Sequence, residues 1–440
     1  MTNATTAVSS SPFDVDVVRI PYHDLVAAAS TSSRCGDGDG GTTSQDTVAI
    51  HQLIEEAFSP SGLGIIAITD VPNLSRLRLE LLPLAQKLAT LSPEQLEEIT
   101  VPDSEYQVGW SHGREKLEGD KFDYGKGSFY ANPLTEDLTE TMLERRQYQR
   151  SRNISCNNMV DNVDGDVDEV LEWDESLKVV KNDDELRSLA NANPAFFAPN
   201  IWPSKHLPDL ESAFKDAGRM VHEVGIMVAK CCDSYVSAHC PGYEPKLEKI
   251  LRYSKCCKAR LLHYFPMDDN ISDDVDASTT DDTQFSNWCG WHNDHGSLTG
   301  LLPAMYLDGN GNVVKCPDGV AGLYIKARTG ELVHAKIPEN AIAFQVGETA
   351  QIHTGGWLQA TPHAVRGCKG VRNISRETFA VFMEPEFHTP MNLPVGRTLE
   401  DTQCIEAEKY LPSNTRTLRS RWKLGMNFGE FSNATFAAFH

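Results

Sequence analysis

The sequence predicts an α+β fold in which a helical N-terminal region packs on an antiparallel jelly-roll or barrel core. Two observations carry this. Helical periodicity and capping signals dominate before Arg260, whereas short β-rich segments divided by turn residues dominate after it. With 440 residues, 40% of them hydrophobic, the chain is long enough for one large domain or two ordinary ones with a well-buried core.

Residues 1–45 are expected to form a strand, VVRIPYHDL from Val17 to Leu25, and then a mobile loop. The stretch STSSRCGDGDGGTTSQD is too polar and Gly-rich to pack. Residues 46–250 read as a mainly helical region. HQLIEEAF has helical spacing, LGIIAITDV has the β-branched density of a buried strand, and Leu74 to Leu91 is helical again. Ser92, Pro93 and Gln95 supply an N-cap, a first-turn proline and a capping-box partner. An acidic insertion lies near 135–189. Within it Asp164, Asp166, Asp168 and Glu175 occupy positions 1, 3, 5 and 12 of a calcium loop, but Glu169 stands where the sharp turn needs glycine, so a solvated acidic face is the preferred reading.

A long helix is predicted from about Pro208 to His239, burying Val221, Val224, Met227 and Val228, and another from about Glu244 to Lys258. The adjacent pairs Cys231-Cys232 and Cys256-Cys257 fall in these helix-like stretches and read as small apolar residues. Residues 251–395 form the β-core, with GLYIKA, ELVHAKI, AIAFQVG, LQATPHAV and ETFAVFME as strands. The acidic stretch MDDNISDDVDASTTDDTQ interrupts it, and residues 396–440 are a helical extension.

The net charge of -22 opposes binding to nucleic acid or an anionic membrane surface, so a small-molecule partner is the simpler expectation. Oligomeric state is not encoded legibly. Eleven cysteines without a repeated spacing point to a reducing compartment. No signal or transit peptide and no membrane span is apparent, and a cytoplasmic location is expected.

The chemical segment is WCGWHNDHGSLTGL, where His292 and Asp294 are two apart. In extended chain such residues share a face, so an imidazole and a carboxylate converge on one ion. His363, on a later strand, supplies a second imidazole; two imidazoles and a carboxylate leave three positions of a metal open. Arg376 and Thr378, again two apart, suit a grip on a carboxylate. Singly these residues read as ordinary packed histidines and a surface charge; in this order they read as a metal site. His295 should point to the opposite face from Asp294. His353, on a predicted strand near the site, is a lesser candidate ligand and is expected instead to pack or to make a supporting hydrogen bond. Trp288 and Trp291 either line a pocket or pack the barrel rim.

The order His-x-Asp, distal His, Arg-x-Thr resembles the isopenicillin N synthase-like branch of the iron(II)/2-oxoglutarate-dependent dioxygenases. DHGSLTGL, VGETAQIHTGGWLQATPHAV, FMEP, GLGIIAITDVP, VGWSHGREK, GSFYANP and NIWP carry the resemblance over most of the chain outside the acidic insertions. It implies a double-stranded β-helix, Fe(II) held by His292, Asp294 and His363, 2-oxoglutarate paired with Arg376 and Thr378, and O2 as oxidant. The implied activity is that of a non-haem iron oxidoreductase, hydroxylating or desaturating a small organic substrate with release of succinate and CO2. One departure is His263-Tyr264-Phe265-Pro266, where family members often carry Asn-x-Tyr-Pro: Phe265 replaces a tyrosine that helps hold 2-oxoglutarate. A 2-oxoglutarate-independent iron oxidase and an inactive binding module therefore stay open, as does a zinc hydrolase that leaves Arg376 and Thr378 without a role.

Overall fold

A computed structural model describes residues 14–31, 45–114, 122–155, 178–266, 288–368, 373–403, 405–412 and 415–439. The glycine-rich stretch beyond Thr31, the calcium-like spacing around Asp164 and the acidic stretch after Pro266 lie outside these residues.

The helices are α1 (Tyr22–Thr31), α2 (Gln45–Phe58), α3 (Leu74–Ala89), α4 (Pro93–Glu97), α5 (Leu138–Ser155), α6 (Asp183–Ala192), α7 (Pro194–Phe197), α8 (Leu210–His239), α9 (Leu247–Tyr253), α10 (Glu348–His353), α11 (Leu399–Gln403) and α12 (Phe428–Phe439). The strands are β1 (Asp14–Asp16), β2 (Val18–Pro21), β3 (Ile65–Thr69), β4 (Gly109–His112), β5 (Lys126–Ala131), β6 (Cys257–Tyr264), β7 (Cys289–His292), β8 (Leu298–Leu301), β9 (Met305–Asp308), β10 (Val313–Val314), β11 (Gly322–Lys326), β12 (Leu332–Lys336), β13 (Ala341–Val346), β14 (His363–Arg366) and β15 (Ile374–Met383).

They form an α+β fold with two sheets. The smaller has five strands in the order β1-β12-β11-β14-β7; the larger has ten, along β2-β3-β13-β8-β15-β6-β5-β4, with β9 paired to β15 and β10 to β9. Hydrogen bonding among the described residues leaves the sheets separate and does not close one barrel.

Alternation along the strands divides the core. Ile65 and Ala67 join an apolar cluster with Leu262, Leu323, Ala335, Ala343, Val365 and Ala380, drawn from both sheets. Ile66 and Ile68, one residue out of phase, join Phe344, Phe379 and Val381 under Leu81 and Val221 of the helices. The large sheet is thus buried on both faces, which explains why its strands read as near-continuous apolar runs.

The capping box forms as predicted: the Ser92 hydroxyl accepts from the Gln95 amide, and Gln95 Oε1 accepts from the Ser92 amide at 2.9 Å. Helix α8 buries Val221, Val224 and Val228, with Met227 half-buried, and Cys231 and Cys232 lie inside it. Three expectations are corrected. The strand at Val17 stops at Pro21, which ends the donor ladder, and Tyr22 begins α1 instead. The helix after Glu244 is shorter, ending at Tyr253, so Cys256 precedes β6 and Cys257 opens it. His353 ends α10 and does not lie on a strand. No helix among the described residues is long and apolar enough to cross a membrane.

Candidate metal centre

The residues 292, 294 and 363, remote in sequence, meet at the small sheet's edge. His292 ends β7 and His363 begins β14, and the two are direct cross-strand partners with ring centroids 4.3 Å apart. Asp294 follows two residues past His292, so its carboxylate comes round to the same side. Each histidine Nε2 lies 3.8 Å from Asp294 Oδ1, and one ligand atom from each residue falls within 4.8 Å of the others. That separation is too long for a hydrogen bond yet short enough for all three to reach one ion with bonds of about 2.1 Å. Nδ1 of His292 donates to the Gly290 carbonyl at 2.8 Å, and Nδ1 of His363 faces the Thr361 carbonyl at 3.3 Å. Both Nε2 atoms are thereby turned inward. Asp294 Oδ2 is buried with no hydrogen-bond partner among the described residues, the state expected of an atom reserved for a cation.

The three groups differ in charge: burial lowers His292, but Cys289, Asp294 and the Gly290 carbonyl outweigh it and raise the imidazole to about 9, so His292 releases a proton when it ligates. Burial pushes the Asp294 carboxyl up, but the His363 and His292 imidazoles outweigh it and hold the group below the usual carboxylate range. Burial and the neighbouring His292 draw His363 down to about 4, so its imidazole is neutral and able to ligate.

A second layer fixes the Asp294 turn. The Glu348 amide donates to the Asp294 carbonyl at 2.8 Å, and the Thr349 hydroxyl donates to the His295 carbonyl at 2.6 Å. Gly347 is required here, since a Cβ would run into the Gly296 carbonyl oxygen. The buried Glu348 carboxylate accepts from Asn293 Nδ2 at 3.2 Å and from Arg421 Nη2 at 2.5 Å, so the C-terminal segment bolts the turn in place. His295 points the other way, as expected. Its ring stacks on Phe428 of α12, and Nε2 lies 3.2 Å from the Ser432 hydroxyl. His353 is buried and donates from Nε2 to the Pro390 carbonyl at 3.0 Å, apart from the triad.

On β15, Arg376 and Thr378 share the inter-sheet face with Ala380, and Arg376 pairs with Tyr264 of β6. Arg376 is 7% exposed, yet its Nε and Nη1 have no hydrogen-bond partner among the described residues. A buried cation with idle donors is costly, and an anion removes that cost. Thr378 differs: its one hydroxyl proton goes to the Leu302 carbonyl at 3.1 Å. The expected two-residue grip therefore rests on Arg376 in this conformation.

No family model matches the sequence, and no curated protein matches it. Solved structures do. A full-length protein from Neurospora crassa in complex with alpha-KG is 16% identical with a TM-score of 0.55, over 98% of each chain. The same protein with alpha-KG and thymine is 15% identical at a TM-score of 0.55, over 98% of this chain and 100% of that one. A 2OG-Fe(II) oxygenase family protein from Caulobacter crescentus is 14% identical at 0.54, over 96% and 98%. The chain has the 2OG-Fe(II) oxygenase fold.

In that oxygenase fold the substitution at Phe265 takes on a different meaning. Tyr264 and Phe265 are consecutive and point apart. The Tyr264 ring lies under the Arg376 guanidinium, 5.0 Å from its carbon to the ring centroid, and against Trp288 at 5.2 Å. Phe265 instead meets His112 and His263 at 4.8 and 4.5 Å. Trp288 is buried between the sheets, whereas Trp291 packs with Tyr324, Leu332 and Ala364.

Sequence reading missed the cationic lining of this oxygenase-type interior. Lys126 is buried against Asp123 at 2.5 Å, and Arg260 donates to the Ser128 hydroxyl at 2.9 Å from Nε. Cys289 lies 3.9 Å from His292 Nδ1; burial raises its thiol pKa, but Lys126, His292 and Arg260 outweigh that and bring it to about 7. The signal was Lys258, Arg260, Leu262 and Tyr264 alternating along β6, a strand flanked on both sides. Charges on one face of a central strand have to face a polar interior.

Proposed function

We propose that the protein is an Fe(II)- and 2-oxoglutarate-dependent dioxygenase of the isopenicillin N synthase-like branch, oxidising a small organic substrate with release of succinate and CO2. The observation that carries this is the convergence of His292, Asp294 and His363 with an unpartnered Asp294 Oδ2. In this reading the two facing sheets are the halves of a double-stranded β-helix spanning about 251–395, wrapped by the helical region 46–250 and closed by 396–440. The donor set fits ferrous iron, and the Neurospora crassa structures contain alpha-KG.

Iron, when bound, supplies the oxygen-activating chemistry coupled to decarboxylation of 2-oxoglutarate. The chain's own residues do the rest. His292 and His363 present their Nε2 atoms, His292 giving up a proton as it ligates, Asp294 supplies the balancing charge, and its backbone carbonyl is held by the Glu348 amide of α10. Arg376 offers its idle N–H groups to the far carboxylate of the cosubstrate, in a site from which Trp288 and Tyr264 exclude water. A small molecule is the partner in this reading. A cytoplasmic location agrees with the free cysteines among the described residues.

The test is anaerobic addition of Fe(II) and 2-oxoglutarate to the metal-free protein, followed by air. A metal-to-ligand charge-transfer band, then succinate release, is expected, and both should vanish in His363→Ala. Thr378, with its proton committed to Leu302, favours a second reading, a 2-oxoglutarate-independent iron oxidase. Calorimetry separates the two: no heat of 2-oxoglutarate binding to the ferrous protein, with oxygen uptake intact, selects the oxidase.

A further inference from the structure

A second cluster of ligating side chains lies at the other end of β14 from His363. Cys368 follows that strand by two residues. Because Arg366 of β14 pairs with Gly322 of β11, the chain just before β11 runs back beside it. That chain is Cys316-Pro317-Asp318-Gly319, a tight turn with Gly319 at φ 67°. Asp318 Oδ1 accepts from the Val320 and Ala321 amides at 3.0 and 2.9 Å, which fixes the carboxylate. One ligand atom from each of Cys316, Asp318 and Cys368 lies within 4.8 Å of the others, with Cys316 Sγ 3.6 Å from Asp318 Oδ1. The Ala321 carbonyl is 3.9 Å from Cys316 Sγ.

We propose that Cys316, Asp318 and Cys368 form a binding site for a thiophilic divalent cation of the zinc class, separate from the triad. The spacing carries it: bonds of about 2.0 to 2.3 Å to a tetrahedral ion set neighbouring donors roughly 3.5 Å apart, close to the distance between Cys316 and Asp318. The fourth position falls to water or the Ala321 carbonyl. Cys368 is buried and Cys316 half-buried, so the pair is shielded yet reachable. Both thiols would give up their protons on binding, as thiolate ligation requires. Tyr306, whose hydroxyl donates to the Ala321 carbonyl at 3.3 Å, is also a cross-strand partner of Arg376. Tyr306 thus links the site to the proposed cosubstrate clamp within one inter-sheet cluster.

The test uses the full chain carrying His292→Ala and His363→Ala, reduced, freed of metal and titrated with Cd(II). A thiolate-to-metal charge-transfer absorption saturating at one equivalent, with a rise in thermal midpoint, is expected. Both should be lost on further Cys316→Ser or Cys368→Ser substitution, and Asp318→Asn should weaken binding at least about tenfold. Circular dichroism matching the parent controls for folding. The proposal is overturned by absence of the absorption while mass spectrometry shows both thiols reduced. It is equally overturned by an absorption that survives both serine variants but disappears with Cys289→Ser, or by a Cys316 to Cys368 crosslink in air from a reduced protein that binds no Cd(II).

Discussion

Arg376 and Tyr264 stand directly opposite one another on β15 and β6, the guanidinium carbon 5.0 Å from the ring centroid, and no hydrogen bond among the described residues uses Arg376 Nε or Nη1. A cation held over a ring with spare donors is a site prepared for an anion.

Replacing Arg376 therefore has effects of opposite sign. Arg376→Met should weaken 2-oxoglutarate binding by about thirtyfold or more, the loss of charge-assisted hydrogen bonds worth about 2 to 3 kcal/mol. The cosubstrate-free protein should become more stable, by about 1 to 2 kcal/mol, since a buried charge with idle donors is removed. Calorimetry reads the first and denaturant unfolding the second; a destabilised variant would mean that Arg376 has a structural partner.

Tyr264 and Phe265 should separate cleanly. Phe265→Tyr adds a hydroxyl on the His112 side and should leave 2-oxoglutarate affinity within about twofold. Tyr264→Leu removes the ring beneath Arg376 and should weaken affinity by about 3- to 30-fold, from a cation–π contribution of about 0.5 to 2 kcal/mol. Titration calorimetry on the ferrous protein reads both.

Arg421→Met should strand the Glu348 carboxylate, whose side chain is 1% exposed. A loss of about 3 kcal/mol in unfolding free energy is expected, with iron affinity down about 10- to 100-fold because the Asn293–Asp294 turn loses its anchor. Adding Glu348→Gln should restore part of the stability. Equal losses in single and double variants would show that the ion pair is not the cause.

Acid should destabilise the fold. Burial lowers His222 to about 4, offset only in part by its bond to the Leu251 carbonyl, and burial holds His353 well below its ordinary range. Below about pH 6.5 the unfolded chain takes up these protons and the folded chain does not. The stability from neutral His222 is thus present above pH 6.5 and is lost as pH falls towards 4, at up to about 1.4 kcal/mol per pH unit. His222→Gln, able to keep the bond to Leu251, should flatten the pH dependence measured by urea unfolding.

Much of the candidate site was legible because its parts are short-range. His292 and Asp294 sit two apart at a strand end, Arg376 and Thr378 two apart inside one, and alternation does the rest. The capping box at Ser92 was equally local. What escaped depends on distant pairing. Glu348 and Arg421 are joined only by the fold, as are His263 and Glu377, buried at 2.9 Å on the helix-facing side of the sheet. Thr378's hydrogen bond to Leu302 follows from where β8 ends. His353 was misread because α10 has only six residues, too few to display a helical period.

The cross-strand position of His292 and His363 has one more consequence. β7 is a four-residue strand whose one partner among the described residues is β14, with an irregular register between His363 and Val365. An ion gripped by both imidazoles would act as a clasp on that strand, and the same atom that does the chemistry would keep the sheet from peeling. Chelation should then open Cys289–His292 to solvent exchange before any other strand of the small sheet, so that scarcity of metal is felt first as a loosened margin.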